Sequence, residues 1–101
     1  MGFCVILETE DCEPLEQVED PKNILHQLLP SEDGSYKYLR FIDWYGDTVF
    51  NRLQLQPFIS EWDRLIESAQ TPDDTALLTR IRELALRCTH EPHLYLRFCG
   101  D

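Results

Sequence analysis

Four residues of types that bind metal ions stand close together near the end of this chain. Cys88, His90, Glu91 and His93 fall within a run of six residues, and cysteine and histidine are preferred ligands of Zn²⁺. The spacing matches no established zinc pattern, because HExxH is absent and a single C-x-H-x-x-H has no second pair of ligands. A helix C-terminus with a core cysteine explains the same residues, so we predict no metal here.

The segment 42–51 (IDWYGDTVFN) places two carboxylates around two aromatic residues. Asp43 and Asp47 do not complete the oxygen shell of Mg²⁺ or Ca²⁺, and aspartate is common in turns because it hydrogen-bonds the local backbone. A structural turn is therefore favoured. Exposed aromatic side chains at a loop tip can anchor a partner, so Trp44, Tyr45 and Asp47 are candidate partner-binding residues.

Charge is distributed most unevenly in residues 8–20 (ETEDCEPLEQVED), which carry seven carboxylates and no lysine, arginine or histidine. The chain as a whole has a formal net charge of −10. Such self-repulsion costs stability, and a positively charged partner would offset it. Solubility is the alternative explanation, and the sequence leaves it open. The carboxylates predicted to face a partner are Glu10, Asp11, Glu13, Glu16, Glu19 and Asp20.

The negative charge is concentrated in the first half of the chain. Residues 1–50 hold eleven acidic and three basic residues, whereas residues 51–101 hold eight and six. Nucleic acids and anionic lipids require clustered lysine and arginine, so neither is expected as a partner. No apolar run reaches about twenty residues and no signal-peptide pattern opens the chain. We therefore predict a cytoplasmic protein whose four cysteines, which lack CxxC spacing, are free thiols.

The sequence of the first half predicts a strand, then a short helix, then two strands that form a hairpin. Residues 3–8 (FCVILE) are an apolar run typical of a central strand. Asp20 and Pro21 resemble the start of a helix that continues through apolar residues 24–29. Residues 36–42 (YKYLRFI) predict a strand that forms a hairpin with 48–50.

The second half predicts two amphipathic helices and a last strand. Apolar residues recur every three or four positions from 55 to 69, which predicts a helix that begins near Pro57. Thr71 is the expected N-cap of a second helix that ends before Pro92. Residues 94–99 (LYLRFC) alternate as a strand does.

This order of elements predicts an α+β fold in a single domain, residues 1–101. We expect a small, mainly antiparallel sheet of about four strands, with the two amphipathic helices packed on one face and a short extra helix. The residues expected to point into the core from two of the strands are Leu39, Phe41, Leu94, Leu96 and Phe98.

Alternation along the same strands predicts a second candidate surface on the opposite face of the sheet, made of Tyr36, Tyr38, Arg40, Tyr95 and Arg97. Tyrosine and arginine dominate the binding energy of many interfaces. An ordinary solvated face is the favoured interpretation, in which the arginines pair with carboxylates such as Glu8.

Three stretches of sequence, FIDWYGDTVFN (41–51), LYLRFCGD (94–101) and ILETED (6–11), resemble a group of short acidic bacterial proteins that carry no assigned activity. This resemblance implies a small bacterial domain and brings no catalytic residue. In size and charge the chain is also similar to immunity proteins of bacterial toxin systems, many of which are small, acidic and α+β. That similarity implies a protein partner, namely a basic toxin.

The sequence contains neither a Gly-x-Ser-x-Gly motif nor a glycine-rich phosphate loop, so catalysis is not the favoured interpretation. We predict a non-enzymatic acidic binding protein without a cofactor, an immunity-type inhibitor of a basic toxin such as a nuclease. The alternative is a small metal-dependent enzyme or metal-binding protein that uses Asp43 and Asp47 or the 88–93 cluster. The oligomeric state is left open.

Overall fold

The structure, a computed structural model, describes residues 3–22, 24–28, 37–43 and 45–100. The fold is α+β, as predicted. No helix within these ranges is both long enough and apolar enough to cross a bilayer. The elements in chain order are β1 (Phe3–Thr9), β2 (Pro14–Asp20), α1 (Ile24–Leu28), a 3₁₀ turn (Leu39–Phe41), β3 (Asp47–Phe50), α2 (Arg52–Ser68), α3 (Pro72–His90) and β4 (Leu94–Cys99).

The four strands form one antiparallel sheet in the order β2-β1-β4-β3. The apolar strand β1 is central, as predicted, and β2 and β3 are the two edges. Phe3, Val5 and Leu7 are buried beneath the helices, whereas the alternate residues Cys4 and Ile6 are half-buried. The helices therefore cover one face, and we call the other the outer sheet face.

Side-chain caps determine where the two long helices begin. The Asn51 and Gln54 side chains each accept a hydrogen bond from the other residue's backbone N–H at 2.9 Å, which forms a capping box. Helix α2 therefore begins directly after Asn51, and the start predicted near Pro57 was five residues late. The predicted N-cap of α3 is confirmed, since Thr71 Oγ1 accepts from the Asp74 N–H at 3.1 Å.

The core lies between the helices and the inner sheet face. The Trp62 indole N–H donates to the Leu78 carbonyl at 2.8 Å, which joins α2 to α3. The Trp62 ring stacks on Phe58 at a centroid distance of 5.2 Å, and Phe98 of β4 packs against both rings. These side chains are fully buried, as the periodicity of α2 and β4 predicts.

The strand predicted at residues 36–42 is wrong. Leu39–Phe41 is a 3₁₀ turn and is not part of the sheet. The predicted hairpin is also wrong, because β3 pairs with β4. Leu39 is buried as expected, but Phe41 is 60% exposed. Tyr36 lies outside the described residues.

A buried carboxylate explains why this segment leaves the sheet. Glu61 of α2 is 9% exposed. Its two oxygens accept hydrogen bonds from the backbone N–H groups of Lys37, Tyr38 and Leu39 at 2.8 to 3.2 Å. These amides are satisfied by a side chain instead of a neighbouring strand.

The acidic segment contains the edge strand β2, which the sequence analysis did not predict. Val18 and Asp20 are buried, whereas the other five residues of the strand are exposed. The register pairs Val5 with Val18 and Phe3 with Asp20, and a bulge interrupts it between Leu7 and Glu8. The alternation of apolar and polar residues that identifies a strand is weak in β2, because one of its two buried residues is a carboxylate.

Candidate protein-binding surface

The turn between β1 and β2 carries closely spaced negative charges on a well-ordered backbone. Thr9 Oγ1 accepts hydrogen bonds from the N–H groups of Asp11 (3.3 Å) and Glu13 (3.2 Å), and the Thr9 N–H donates to the Glu13 carbonyl at 3.0 Å. Cys12 adopts a φ of 64° and donates its N–H to the Thr9 carbonyl at 2.9 Å. The turn therefore presents Asp11 and Glu13 in a defined position.

We call residues 10–19, which comprise this turn and most of β2, the acidic hairpin. Two of its carboxylates have partners elsewhere in the chain. Glu10 Oε2 lies 3.1 Å from His93 Nδ1, and Glu16 accepts a hydrogen bond from Arg87 at 2.8 Å. Both contacts are solvent-exposed, so their free energies are small.

Three other carboxylates of the acidic hairpin are exposed and have no basic side chain within 4 Å in the described part of the chain. They are Asp11, Glu13 and Glu19, and we call them the open carboxylates. Glu19 accepts one hydrogen bond from Gln17 Nε2 at 3.2 Å. Asp11 and Glu13 offer both carboxylate oxygens to solvent or to a partner.

Asp20 is buried, so the prediction that it faces a partner is wrong. It is 2% exposed, and its two oxygens accept hydrogen bonds from the backbone N–H groups of Ile24 (2.9 Å) and Leu25 (2.8 Å). The carboxylate caps the first amides of α1, but the helix begins at Ile24 and not at Pro21 as predicted. It is therefore unavailable to a partner.

An apolar side chain lies among the charges of the acidic hairpin. Leu15, at the second position of β2, is 40% exposed, and β2 is an edge strand with one side unpaired. Sequence analysis missed Leu15 because a lone leucine within an acidic run has no periodicity to identify it. An apolar contact ringed by charge is typical of the centre of a protein interface.

On the outer sheet face, Arg97 is surrounded by acidic groups. Its guanidinium donates to both oxygens of Glu8, which is 3% exposed, and to Asp47 at 2.9 Å, while Cys12 Sγ lies 3.7 Å away. The hydrogen bond that Arg97 donates to Glu8, followed by the charge of Glu8 and the hydrogen bond to Asp47, raises the pKa of Arg97. The predicted pairing of Arg97 with Glu8 is thus confirmed.

The tyrosine and arginine surface is not assembled as predicted. Tyr95 and Arg97 lie on the outer sheet face. Tyr38 is half-buried against the core, and Arg40 is exposed with its guanidinium carbon 5.0 Å from the centroid of Phe41. Both leave the sheet because residues 38–41 are not a strand. Tyr36 is outside the described residues.

The loop before β3 leads into the edge of the sheet opposite β2. Tyr45 is 82% exposed, and Asp43 Oδ1 accepts its N–H at 2.9 Å, which forms the predicted turn. A Cβ on Gly46 would lie 2.9 Å from Asp43 Oδ2, so a side chain there would require the Asp43 carboxylate to shift. The edges β2 and β3 are about 14 Å apart across three strand spacings. Trp44 lies outside the described residues.

The residues of the candidate zinc cluster have separate roles. Cys88 is fully buried, its Sγ donates to the Leu94 carbonyl at 3.1 Å, and burial raises its pKa to about 11. Glu91 bonds to Arg87 and His93 lies against Glu10. Within the described ranges, no three His, Cys, Asp or Glu side chains are grouped in a way that could hold a metal ion.

Comparison of the chain with protein families, with curated proteins and with solved structures finds no match.

Proposed function

We propose that this chain is a non-enzymatic binding protein, an immunity-type inhibitor that neutralises a basic bacterial toxin such as a nuclease in the cytoplasm. The acidic hairpin is the proposed contact surface. The observation that carries the proposal is the set of open carboxylates on one edge of the sheet, with Asp11 and Glu13 in the turn and Glu19 near the other end of β2.

The organisation of the turn supports a binding role. Asp11 and Glu13 belong to a turn whose backbone is held by three hydrogen bonds to Thr9 and one from Thr9. A surface that is already ordered loses less conformational entropy when it binds. Charges held in place also steer a partner of opposite charge more effectively than charges on a disordered segment.

The remaining residues of the hairpin are suited to the rest of an interface. Leu15 offers an apolar contact between the turn and Glu16. Glu10 and Glu16, which are already paired with His93 and Arg87, would form the rim, where charge pairs contribute little affinity but favour the correct orientation.

A nuclease is the proposed class of toxin because its active site must hold phosphate groups with cationic side chains. Carboxylates can occupy such a site in place of phosphates and so exclude the nucleic acid. The negative field of this chain, whose formal net charge is −10, disfavours binding of the chain to nucleic acid.

The test compares two variants that remove the same charge from different places. Asp11→Asn with Glu13→Gln neutralises the tip of the acidic hairpin. Glu67→Gln with Asp73→Asn is the matched control, because both residues are exposed and lie on the helices. Wild type and variants, each tagged, capture partners from lysate of the source cell at low salt, and the protein eluted by a salt step is identified and purified.

Association rates of the purified partner are then measured across a range of salt concentrations. We expect the hairpin variant to associate about three- to tenfold more slowly at low salt, with the difference shrinking as salt screens the charges. The control should change the rate less than about twofold. A nuclease partner should lose its activity at an equimolar ratio of wild type.

Equal rates for the hairpin variant and wild type would remove the acidic hairpin from the mechanism. A partner that keeps full activity in the complex would refute inhibition while retaining binding. The metal-dependent alternative is not proposed, because Asp47 is paired with Arg97 and the Cys88 thiol is buried in the core.

A further inference from the structure

Two of the four cysteines face each other on the outer sheet face. Cys4 of β1 and Cys99 of β4 are direct register partners, and both are half-buried thiols. The other two cysteines differ from this pair in exposure, since Cys12 is exposed in the β1–β2 turn and Cys88 is buried in the core.

The register brings these two thiols within bridging range. Directly opposed residues of an antiparallel pair have Cα atoms about 4.5 to 5.5 Å apart, and disulfides span about 4.4 to 6.8 Å between Cα atoms. Because both residues are at outward positions of neighbouring strands, their side chains leave the sheet on the same side. The two thiols can therefore meet without a change of strand register.

The hydrogen-bond pattern indicates that the bridge would be labile. Gly100 donates its N–H to the Gly46 carbonyl at 2.8 Å across β3 and β4. Backbone groups alternate in direction along a strand, so those of Cys99 point to β1 and make its pair with Cys4 the wider, hydrogen-bonded type. A disulfide there must draw the two Cβ atoms together, which favours its reduction.

We propose that Cys4 and Cys99 form a reversible disulfide when the protein meets a low-molecular-weight disulfide such as glutathione disulfide. One cysteine thiolate attacks a sulfur of glutathione disulfide, which forms a mixed disulfide and releases one glutathione thiolate. The second cysteine then attacks the protein sulfur and releases the other glutathione. Together the two cysteines lose two electrons and two protons. The electrons and the protons are taken up by glutathione disulfide, which becomes two glutathione thiols.

The surroundings of the pair make this oxidation slow at neutral pH. Burial, with the charge of Glu19, raises the pKa of Cys4, while Gln17 and the Cys99 thiol lower it. Burial is also the main cause that raises the Cys99 pKa to about 11; Asp47, Cys4 and Glu8 add to the rise and Arg97 opposes it. Since the thiolate is the nucleophile, the rate should rise with pH up to that range. The bridge is therefore a response to sustained oxidation.

The experiment uses the reduced full chain in glutathione buffers of increasing oxidised fraction. Samples are quenched with acid, the remaining thiols are alkylated, and the intact mass is measured. Digestion after Glu8 separates Cys4 from Cys12, and cleavage after Arg97 separates Cys99 from Cys88, so each bridge can be assigned by mass spectrometry.

We expect a species that lacks two hydrogens and whose linked peptides contain Cys4 and Cys99. Excess dithiothreitol should restore the reduced mass. The bridge should persist in Cys12→Ser and be absent from both Cys4→Ser and Cys99→Ser, in each of which the remaining cysteine of the pair should instead hold glutathione. The assay needs no partner and is independent of the proposed inhibitor function.

Two results would overturn the proposal. One is a wild-type protein that accumulates glutathione on Cys4 or Cys99 without the internal bridge, or remains fully reduced throughout. The other is an internal bridge whose linked peptides contain Cys12 in place of Cys4 or Cys99. The wild-type measurement decides both without relying on the folding of any variant.

Discussion

The acidic segment, residues 8–20, carries carboxylates at its two ends and in its middle. The two groups have the same charge but differ in burial and in hydrogen-bond partners. Glu8 and Asp20, at the ends, are 3% and 2% exposed, and each carboxylate has hydrogen-bond donors within the chain. Asp11 and Glu13, in the middle, are exposed and have no basic neighbour within 4 Å among the described residues.

This difference shows that the density of charge in a sequence does not measure the charge available to a partner. Of the seven carboxylates in residues 8–20, two are buried, two are paired at the surface and three are open. The carboxylates at the ends bond to groups within the fold, whereas those in the middle are exposed. Substitutions that remove one charge at a time can distinguish these two groups.

The largest expected effect comes from Arg97→Leu, which leaves the buried Glu8 without its cation. We expect the free energy of unfolding to fall by about 2–4 kcal/mol, because an uncompensated carboxylate stays in a buried position. Urea unfolding followed by tryptophan fluorescence measures the loss. Arg80→Leu, at an exposed arginine of α3, is the matched control and should change stability by less than about 0.5 kcal/mol.

A double variant sharpens this test. Glu8→Leu combined with Arg97→Leu removes both charges, so most of the lost stability should return. If Arg97→Leu is no less stable than Arg80→Leu, the ion pair between Arg97 and Glu8 does not stabilise the fold.

A smaller effect is expected at the other end. Asp20→Ala removes the acceptor of the Ile24 and Leu25 N–H groups, which should cost about 1–2 kcal/mol. Hydrogen exchange at these two amides and urea unfolding measure the effect. Asp11→Ala is the same change in the middle of the segment and should cost less than about 0.5 kcal/mol. Equal losses for the two variants would abolish the distinction between end and middle.

The smallest effect on stability is expected for Asp11→Asn with Glu13→Gln. The free energy of unfolding should stay within about 0.5 kcal/mol of wild type, with any gain confined to low salt, where repulsion is strongest. Urea unfolding at low and high salt measures this. A loss above about 1 kcal/mol would show that the tip supports the fold, and the binding test would then need another variant.

Much of the fold could be predicted because its signals are local. The alternation of residues 94–99 predicted β4 with its correct bounds, and the Thr71 cap identified the start of α3. The start of α2 predicted near Pro57 is wrong, because the capping box of Asn51 and Gln54 begins the helix at Arg52. Proline is compatible with several positions near a helix start, whereas the reciprocal cap specifies one.

The candidate site was predictable only in outline. The acidic segment was identified as the likeliest contact surface from its composition, but its division into buried, paired and open carboxylates depends on residues distant in sequence. Arg87 meets Glu16 and His93 meets Glu10 only after α3 and β4 have packed beside β2 and β1. No local pattern contains that information.

By itself, the sequence determined the α+β class, the central strand β1, the helix caps at Thr71 and Asp20, and the strong negative field, because propensity, periodicity and charge act over short distances along the chain. Only the tertiary structure decided which carboxylates are available and that residues 38–41 leave the sheet. Those outcomes depend on Glu61 and Arg97, whose side chains bond to groups more than twenty residues away. The fate of a charged group is determined by the donors that the fold brings to it.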